Sequence, residues 1–272
     1  MPLDLTLSNK MIKKLILITA FSLCFVFTNA QDKSAFVKTQ FVFNGDTLPV
    51  RILYPENFDE TKKYPLMIFL HGSGERGKDN EKQLIHGSKI FLEPALRINT
   101  QAVIIFPQCS KDSYWSNVKI ITENKGKRNF DFQKGGKPTI AMKLLVAYLD
   151  ELEDLPYLDK QRFYVGGLSM GGMGTYELLR REPKTFVAAF AICGGDNVAN
   201  LKKYANKLPL WLFHGLKDDV VLPEYTINIA NELKRLGADY KLNLYPNANH
   251  NSWNPAFAET ELLPWLFSKV KK

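Results

Sequence analysis

Val165-Gly166-Gly167-Leu168-Ser169-Met170-Gly171-Gly172 is the stretch whose reading decides the fold. Arg162-Phe163-Tyr164-Val165, at its start, is a β-branched and aromatic run that reads as a strand. Thr175-Tyr176-Glu177-Leu178-Leu179-Arg180-Arg181, just beyond it, reads as a helix. The Gly167-x-Ser169-x-Gly171 spacing between the two is that of a nucleophile elbow. A serine on a tight strand-to-helix turn has its Oγ lifted above the sheet edge, and flanking glycines keep Cβ atoms out of the crowded turn. Small residues cluster in many turns, so the rest of the chain has to supply the specificity.

Outward from the elbow, strand-length runs alternate with helical spacing. Residues 36–43 and 47–54 read as two strands joined by Asn44-Gly45-Asp46, a hairpin turn. Residues 64–70 and 102–106 are continuous apolar runs, as expected of strands buried on both faces. Residues 139–152 carry Ile140, Leu144, Leu145, Tyr148 and Leu152 at helical spacing. Past the elbow, strands are predicted at 185–193, 209–214 and 241–245, with a helix at 224–236 and a closing helix over 256–269. This alternation predicts an α/β fold: a mostly parallel central sheet with an antiparallel start and helices on both faces. Residues 31–272 read as one domain without repeats. The connection between Cys193 and Pro209 leaves no room for an inserted lid. By contrast, residues 108–137 form a long connection holding Tyr114, Trp115, Phe130 and Phe132. Such length inside a compact domain points to function, and its aromatic half is expected to wall a substrate site. The Lys125-Gly126-Lys127-Arg128 cluster reads as a solvated tip.

The first thirty residues read as a secretory signal. Lys13-Lys14 precede the short apolar run of residues 15–27, and Thr28-Asn29-Ala30 offers small residues for cleavage before Gln31. Met11 is an alternative start, and an uncleaved anchor is the competing reading. The apolar run is short for a bilayer span, so a secreted or periplasmic protein without stable membrane insertion is expected. The formal charge is +8 with no long basic run, which does not imply nucleic acid. Cys109 and Cys193 are the cysteines left after cleavage. They end strands three spacings apart, about 14 Å, beyond disulfide reach, so both are expected as free, buried thiols.

A serine hydroxyl is a poor nucleophile until a base takes its proton. The four histidines are His71, His86, His214 and His250. His71 and His214 each end a strand before a glycine, where histidines buttress loops. His86 lies in a polar loop with no evident partner. His250 follows the last strand, after Pro246-Asn247-Ala248-Asn249, where the base belongs. Serine, then aspartate, then histidine is the chain order of α/β-hydrolases, distinct from the chymotrypsin and subtilisin orders. For the orienting acid Asp218 and Asp219 compete. The turn after His214-Gly215 favours Asp218, and Asp219 reads as a turn or capping residue. Oxyanion donors are expected from the backbone N–H of Met170 and from the glycine-rich loop His71-Gly72-Ser73-Gly74-Glu75-Arg76-Gly77, with Ser73 first and Gly74 second. Glu75 and Arg76 read as an ion pair pinning that loop, with Arg76 contacting a substrate acid as the alternative. Trp115, Trp253 and Arg76 are the candidate substrate contacts. No histidine pair has ligand spacing and no phosphate-binding glycine loop occurs, so neither a metal nor a cofactor is expected.

Residues 65–77, Pro107-Gln108-Cys109, residues 167–172, Ile192-Cys193-Gly194-Gly195 and His250-Asn251-Ser252-Trp253 together resemble secreted bacterial lid-less α/β-hydrolase esterases of the phospholipase/carboxylesterase type, also labelled "predicted peptidase". That group is related to carbohydrate esterase family 1, to polyhydroxyalkanoate depolymerases and to dienelactone hydrolases. The resemblance implies ester hydrolysis by acyl transfer, with Ser169, Asp218 and His250 in the catalytic places. Serine rather than cysteine at 169 argues against dienelactone hydrolase chemistry. Feruloyl or acetyl esters of polysaccharide and small acyl esters are both candidate substrates. A serine peptidase of the prolyl-oligopeptidase-like type is the alternative, and a non-catalytic binding protein of this fold is the third reading.

Overall fold

Apolar runs that must hide both faces can do so only in the middle of a sheet covered on each side, and the central strands lie there. The computed structural model describes residues 33–123 and 128–271. The leader read at residues 1–30 and Lys125-Gly126-Lys127 of the tip lie outside the described residues. Residues Ala35–Lys272 cluster as one compact unit. In chain order the strands are β1 (Phe36–Phe43), β2 (Asp46–Leu53), β3 (Tyr64–Leu70), β4 (Val103–Pro107), β5 (Val118–Thr122), β6 (Arg128–Phe132), β7 (Leu158–Leu168), β8 (Ala188–Ile192), β9 (Leu210–Gly215) and β10 (Tyr240–Tyr245). Eight of them form one sheet in the order β1-β2-β4-β3-β7-β8-β9-β10, while β5 and β6 make a separate two-stranded sheet. The β1–β2 and β2–β4 pairs are antiparallel. From β4 across to β10 every pair is parallel.

The helices are α1 (Pro94–Asn99), α2 (Ile140–Glu153), α3 (Met170–Arg181), α4 (Pro223–Arg235), α5 (Trp253–Phe257) and α6 (Leu262–Phe267). One face of the sheet is covered by α2, α3 and α4 through residues such as Leu145, Tyr176 and Ile229. The other is covered by α5 and α6 through Ala256, Leu262 and Leu266, over an aromatic layer of Phe69, Phe91, Phe106 and Phe190. Between β8 and β9 there is one short 3-10 helix, Val198–Lys203, and no lid. This is the α/β-hydrolase fold. No helix among the described residues is long and apolar enough to cross a membrane.

Three features depart from the sequence reading. The closing helix over 256–269 is split into α5 and α6. A proline in a helix interior clashes with the carbonyl four residues before it, so Pro264 is tolerated only in a first turn, and the helix restarts at Leu262. The long connection 108–137 is not a bare loop, since it contains the β5–β6 hairpin. Residues 94–99 form α1, with Pro94 at its first position, where its missing N–H costs nothing.

The first turn of α3 makes the closest approach found at any glycine of the described residues. A Cβ on Gly171 would lie 1.8 Å from the Leu70 carbonyl oxygen, and one on Gly167 would lie 2.5 Å from the Gly171 carbonyl. Only backbone fits between β3, β7 and α3. The turn leaves Ser169 at φ 53°, ψ −117°, a conformation that costs on the order of 1–3 kcal/mol for a residue with a side chain. Hydrogen bonds hold it there: the Ser169 N–H donates to Ile192 O at 2.8 Å, and Met173 N–H donates to Ser169 O at 3.0 Å. Gly171→Ala is therefore expected to lose about 4 kcal/mol or more of unfolding free energy. Gly74→Ala, where an added Cβ meets nothing within 4 Å, should change it by less than about 0.5 kcal/mol. Chemical denaturation of the two variants measures both.

Candidate active site

The parallel strands all present their C-terminal ends to the same rim, so residues distant in sequence meet there. Ser169 stands at the end of β7, 7% exposed. Its Oγ lies 3.0 Å from His250 Nε2, and His250 Nδ1 lies 2.8 Å from Asp218 Oδ2. Asp218 follows β9 and His250 follows β10. Their two loops are tied together by the Leu216 N–H on Tyr245 O (2.9 Å) and the Lys217 N–H on Ala248 O (3.0 Å).

Every side of the Asp218 carboxylate is occupied. Oδ1 accepts from the backbone N–H groups of Val220 and Val221, each at 3.0 Å, and Oδ2 also faces His214 Nε2 at 3.3 Å. Burial alone would push this carboxyl up. The hydrogen bonds from His214, His250 and the Val221 N–H outweigh it and hold the group well below the usual carboxylate range. Asp219 is exposed, with its N–H facing Asn249 Oδ1 at 3.4 Å. Of the two competing acids, Asp218 is the one brought to His250.

On the opposite side of Ser169 is the loop after β3. Gly72 passes so close that a Cβ there would lie 3.8 Å from Ser169 Cβ, and the 3-10 turn Ser73–Glu75 follows. Met170 is the first residue of α3, where a helix leaves its N–H groups without intrahelical partners. The loop after β3 is fastened to the one after β4. His71 Nδ1–H donates to Gly72 O at 2.6 Å, and Nε2 accepts from the Cys109 N–H at 2.9 Å. Burial lowers the His71 pKa to about 4, keeping the ring neutral for both bonds. Gln108, fully buried, donates to Glu75 O (3.1 Å) and Asp79 Oδ1 (3.0 Å) and accepts from the Asn80 N–H (2.7 Å).

The expected Glu75–Arg76 ion pair does not form. Burial pushes the Glu75 carboxyl up, its carboxylate is bonded by the N–H groups of Gly72 and Glu75 itself, and its nearest basic group is His86 Nε2 at 3.8 Å. Arg76 instead donates to the carbonyls of Ser73, Lys111 and Ser113 at 3.1–3.2 Å and lies over the Tyr114 ring. Its donors bind the two loops together, which takes it away from the role of substrate contact. Trp115 is corrected more sharply. It has no exposed surface, packs edge-on to His71 and lies where Gly174 leaves room for it, so it belongs to the core and offers a substrate nothing. Trp253 is half-buried between His250 and His86, with ring centroids 5.5 and 5.1 Å away, and stands beside the site. Phe130 and Phe132 are buried against Met173, Val221 and Tyr225, so the two rings expected to wall a substrate site are packed into the fold instead.

Cys193, Asp218 and His250 bring donor atoms within 4.8 Å of one another. Burial pushes the Cys193 thiol up to about 12, and the Asp218–His250 contact is a hydrogen bond through the nitrogen a metal would need. Thiolate is the metal-binding form of cysteine, so this set does not suit a resident metal. Cys109 and Cys193 are both free and buried.

A family model described as phospholipase/carboxylesterase matches residues 58–261. A probable dipeptidyl-aminopeptidase B of Ajellomyces capsulatus (strain NAm1 / WU24) is 23% identical over 256 residues, covering 82% of this chain and 26% of that protein. The chain thus spans about a quarter of the length of that relative. A bifunctional acetylxylan esterase/xylanase of Neocallimastix patriciarum is 32% identical over 116 residues, 39% of this chain and 17% of that protein. Among solved structures, a thermostable esterase matches with a TM-score of 0.76 at 28% identity, over 88% of this chain and 64% of its own.

Asp196, three residues beyond Cys193, went unremarked in the sequence. Its Oδ1 accepts from the Asn197 N–H (2.7 Å) and Asn200 Nδ2 (3.0 Å). Burial pushes its pKa up to about 7, against those donors and nearby Arg180. In an unfolded chain the same carboxyl ionises near 4. Between about pH 4 and 7 the unfolded chain loses a proton that the folded chain keeps, so stability falls as pH rises through that window. Asp196→Asn retains the oxygen that accepts and removes the ionisation. Thermal melts should show the variant gaining on the parent at pH 8, by up to about 4 kcal/mol, with the gain gone at pH 4.

Proposed function

The chain belongs to the phospholipase/carboxylesterase family and is a serine hydrolase, and from that premise we propose that it cleaves carboxylic esters through an acyl-enzyme formed on Ser169. The observation that carries this reading is the unbroken chain from Ser169 Oγ to His250 to Asp218 at 3.0 and 2.8 Å. His250 Nε2 takes the Ser169 proton as Oγ attacks the ester carbonyl. Asp218, acting on Nδ1, holds the imidazole in the tautomer that leaves Nε2 free and stabilises the imidazolium that forms. The tetrahedral oxyanion is received by the N–H groups of Met170 and Ser73, each contributing about 3–4 kcal/mol of transition-state stabilisation. His250 then returns the proton to the departing alcohol, and water repeats the sequence to release the acid.

The absence of a lid between β8 and β9 leaves the rim open, which suits an ester carried on a bulky alcohol. Likeness to an acetylxylan esterase favours acetyl, or the related feruloyl, groups on polysaccharide. The peptidase reading is supported by likeness to a dipeptidyl-aminopeptidase B. Amide cleavage needs the same three residues, so the choice rests on the leaving group. Export is part of the proposal, supported by the basic, apolar and small-residue order of residues 13–30.

Protein beginning at Gln31 should hydrolyse p-nitrophenyl acetate, methyl ferulate and acetylated xylan faster than an aminoacyl-p-nitroanilide. Ser169→Ala should lower every rate by roughly 10⁴-fold or more with an unchanged melting temperature. Dominant amide cleavage would turn the assignment to a peptidase, and turnover that survives Ser169→Ala would remove the nucleophile assignment. N-terminal sequencing of the protein recovered outside the cytoplasm should read from Gln31, and a chain recovered with its leader attached would contradict cleavage.

A further inference from the structure

We infer that His214 is a positioning residue of the hydrolytic site, holding with its buried imidazole the same Asp218 oxygen that orients His250. The inference rests on the reading of Asp218 as the orienting acid. At sequence level His214 is a histidine that ends a strand and buttresses a loop. In the fold its partners give it a more specific task.

His214 is fully buried near the end of β9 and paired in register with Leu244 of β10. Its Nε2 lies 2.8 Å from Val221 O and 3.3 Å from Asp218 Oδ2. Both neighbours can only accept there, so Nε2 carries a hydrogen, which it donates to Val221 O with Asp218 Oδ2 within reach of the same N–H. Its Nδ1 lies 2.7 Å from the hydroxyl of Thr226 on α4, itself buried and 3.2 Å from Gly194 O. Strand, helix and turn therefore fix both ring nitrogens, and the ring has no freedom to swing.

The consequence falls on Asp218. Two backbone N–H groups from adjacent residues hold Oδ1, and a carboxylate held at one oxygen can pivot about it. At Oδ2 the donors are His250, whose side chain is 21% exposed, and His214, which is not exposed at all. The exposed partner is the one that must accept and release protons during turnover. The immobile one can keep Oδ2 in place while it does so. The other titratable group facing Asp218 is the Cys193 thiol, which burial keeps neutral. Misplacement of a catalytic group by about 1 Å can cost on the order of 10²-fold in rate, so a fixed second donor matters for kcat more than for binding.

The test is a double-mutant cycle on the chain from Gln31 with p-nitrophenyl acetate, with melting temperatures recorded throughout. His214→Phe should lower kcat about ten- to a hundredfold and leave KM within about twofold. His214→Gln, which restores an N–H in place of Nε2, should recover most of that loss. Thr226→Val, which frees Nδ1 with little change in volume, should lower kcat in the same direction, and Thr226→Ser should not; this pair serves if His214→Phe fails to fold. In an Asp218→Asn background, His214→Phe should cost nothing further, since the group it positions is gone. A loss of the same size in both backgrounds, or one shared by His214→Gln and tracking melting temperature alone, would reduce His214 to a packing residue. If Asp218→Asn by itself left kcat unchanged, the reading of Asp218 would fall first and the inference with it.

Discussion

The structure hangs on a steric constraint: the first turn of α3 touches β3 backbone to backbone. No side chain fits between Gly171 and the Leu70 carbonyl, so the helix settles directly onto the sheet. The chain can make that approach only by turning sharply at Ser169. The turn exposes the hydroxyl at the rim, starts α3 with N–H groups facing it, and passes the Ser169 N–H to β8. The strain at Ser169 is offset by the packing of Leu168, Met170 and Met173, all buried. A looser crossing would relax the serine and disperse the rim.

Around that point the loops are held chiefly by one another. His71 and Gln108 join the loop after β3 to the loop after β4, and Arg76 ties the same pair from the solvent side. The loops after β9 and β10 are zipped along their backbones, and the Asp218–His250 contact joins them through side chains. His71, Gln108, Asp218 and His250 are each hydrogen-bonded before any substrate arrives, which is the preorganisation that electrostatic stabilisation requires. Glu75 illustrates the same economy of parts: its carboxylate is turned back on the N–H groups of its own loop.

Much of this was legible in the sequence because its signals are local. The elbow glycines, the Asn44-Gly45 turn with both residues at positive φ, and the apolar runs of β3 and β4 each state their conformation within a few residues. The positions of Asp218 and His250 followed from strand ends and chain order. Partner choice was not legible, because it depends on what lies across space. Glu75 and Arg76 are neighbours of opposite charge, yet each found a better site elsewhere: the acid among backbone donors, the guanidinium among carbonyls. Trp115 looked like a wall because its loop is long, and the small Gly174 that draws it into the core is far along the chain. The hairpin was hidden because the apolar residues of β5 do not reach the core, Ile120 and Ile121 being exposed, and the break between α5 and α6 because apolar residues resume on both sides of residues 258–261.

The β5–β6 hairpin shares no ladder with the main sheet. It is docked by Phe130 and Phe132 on Met173, Val221 and Tyr225, close in sequence to both Ser169 and Asp218. Framework and periphery are thereby joined through side chains rather than through strand pairing. Length, charge and shape of the β5–β6 turn are therefore not tied through a ladder to the register of the strands that end near Ser169, Asp218 and His250. The molecule is thus divided into a frame whose ladders set the rim and an appendage joined to it by two phenylalanine rings and by single hydrogen bonds, Phe130 N–H on the Tyr225 hydroxyl at 3.1 Å and Asn197 Nδ2 on Phe132 O at 3.0 Å.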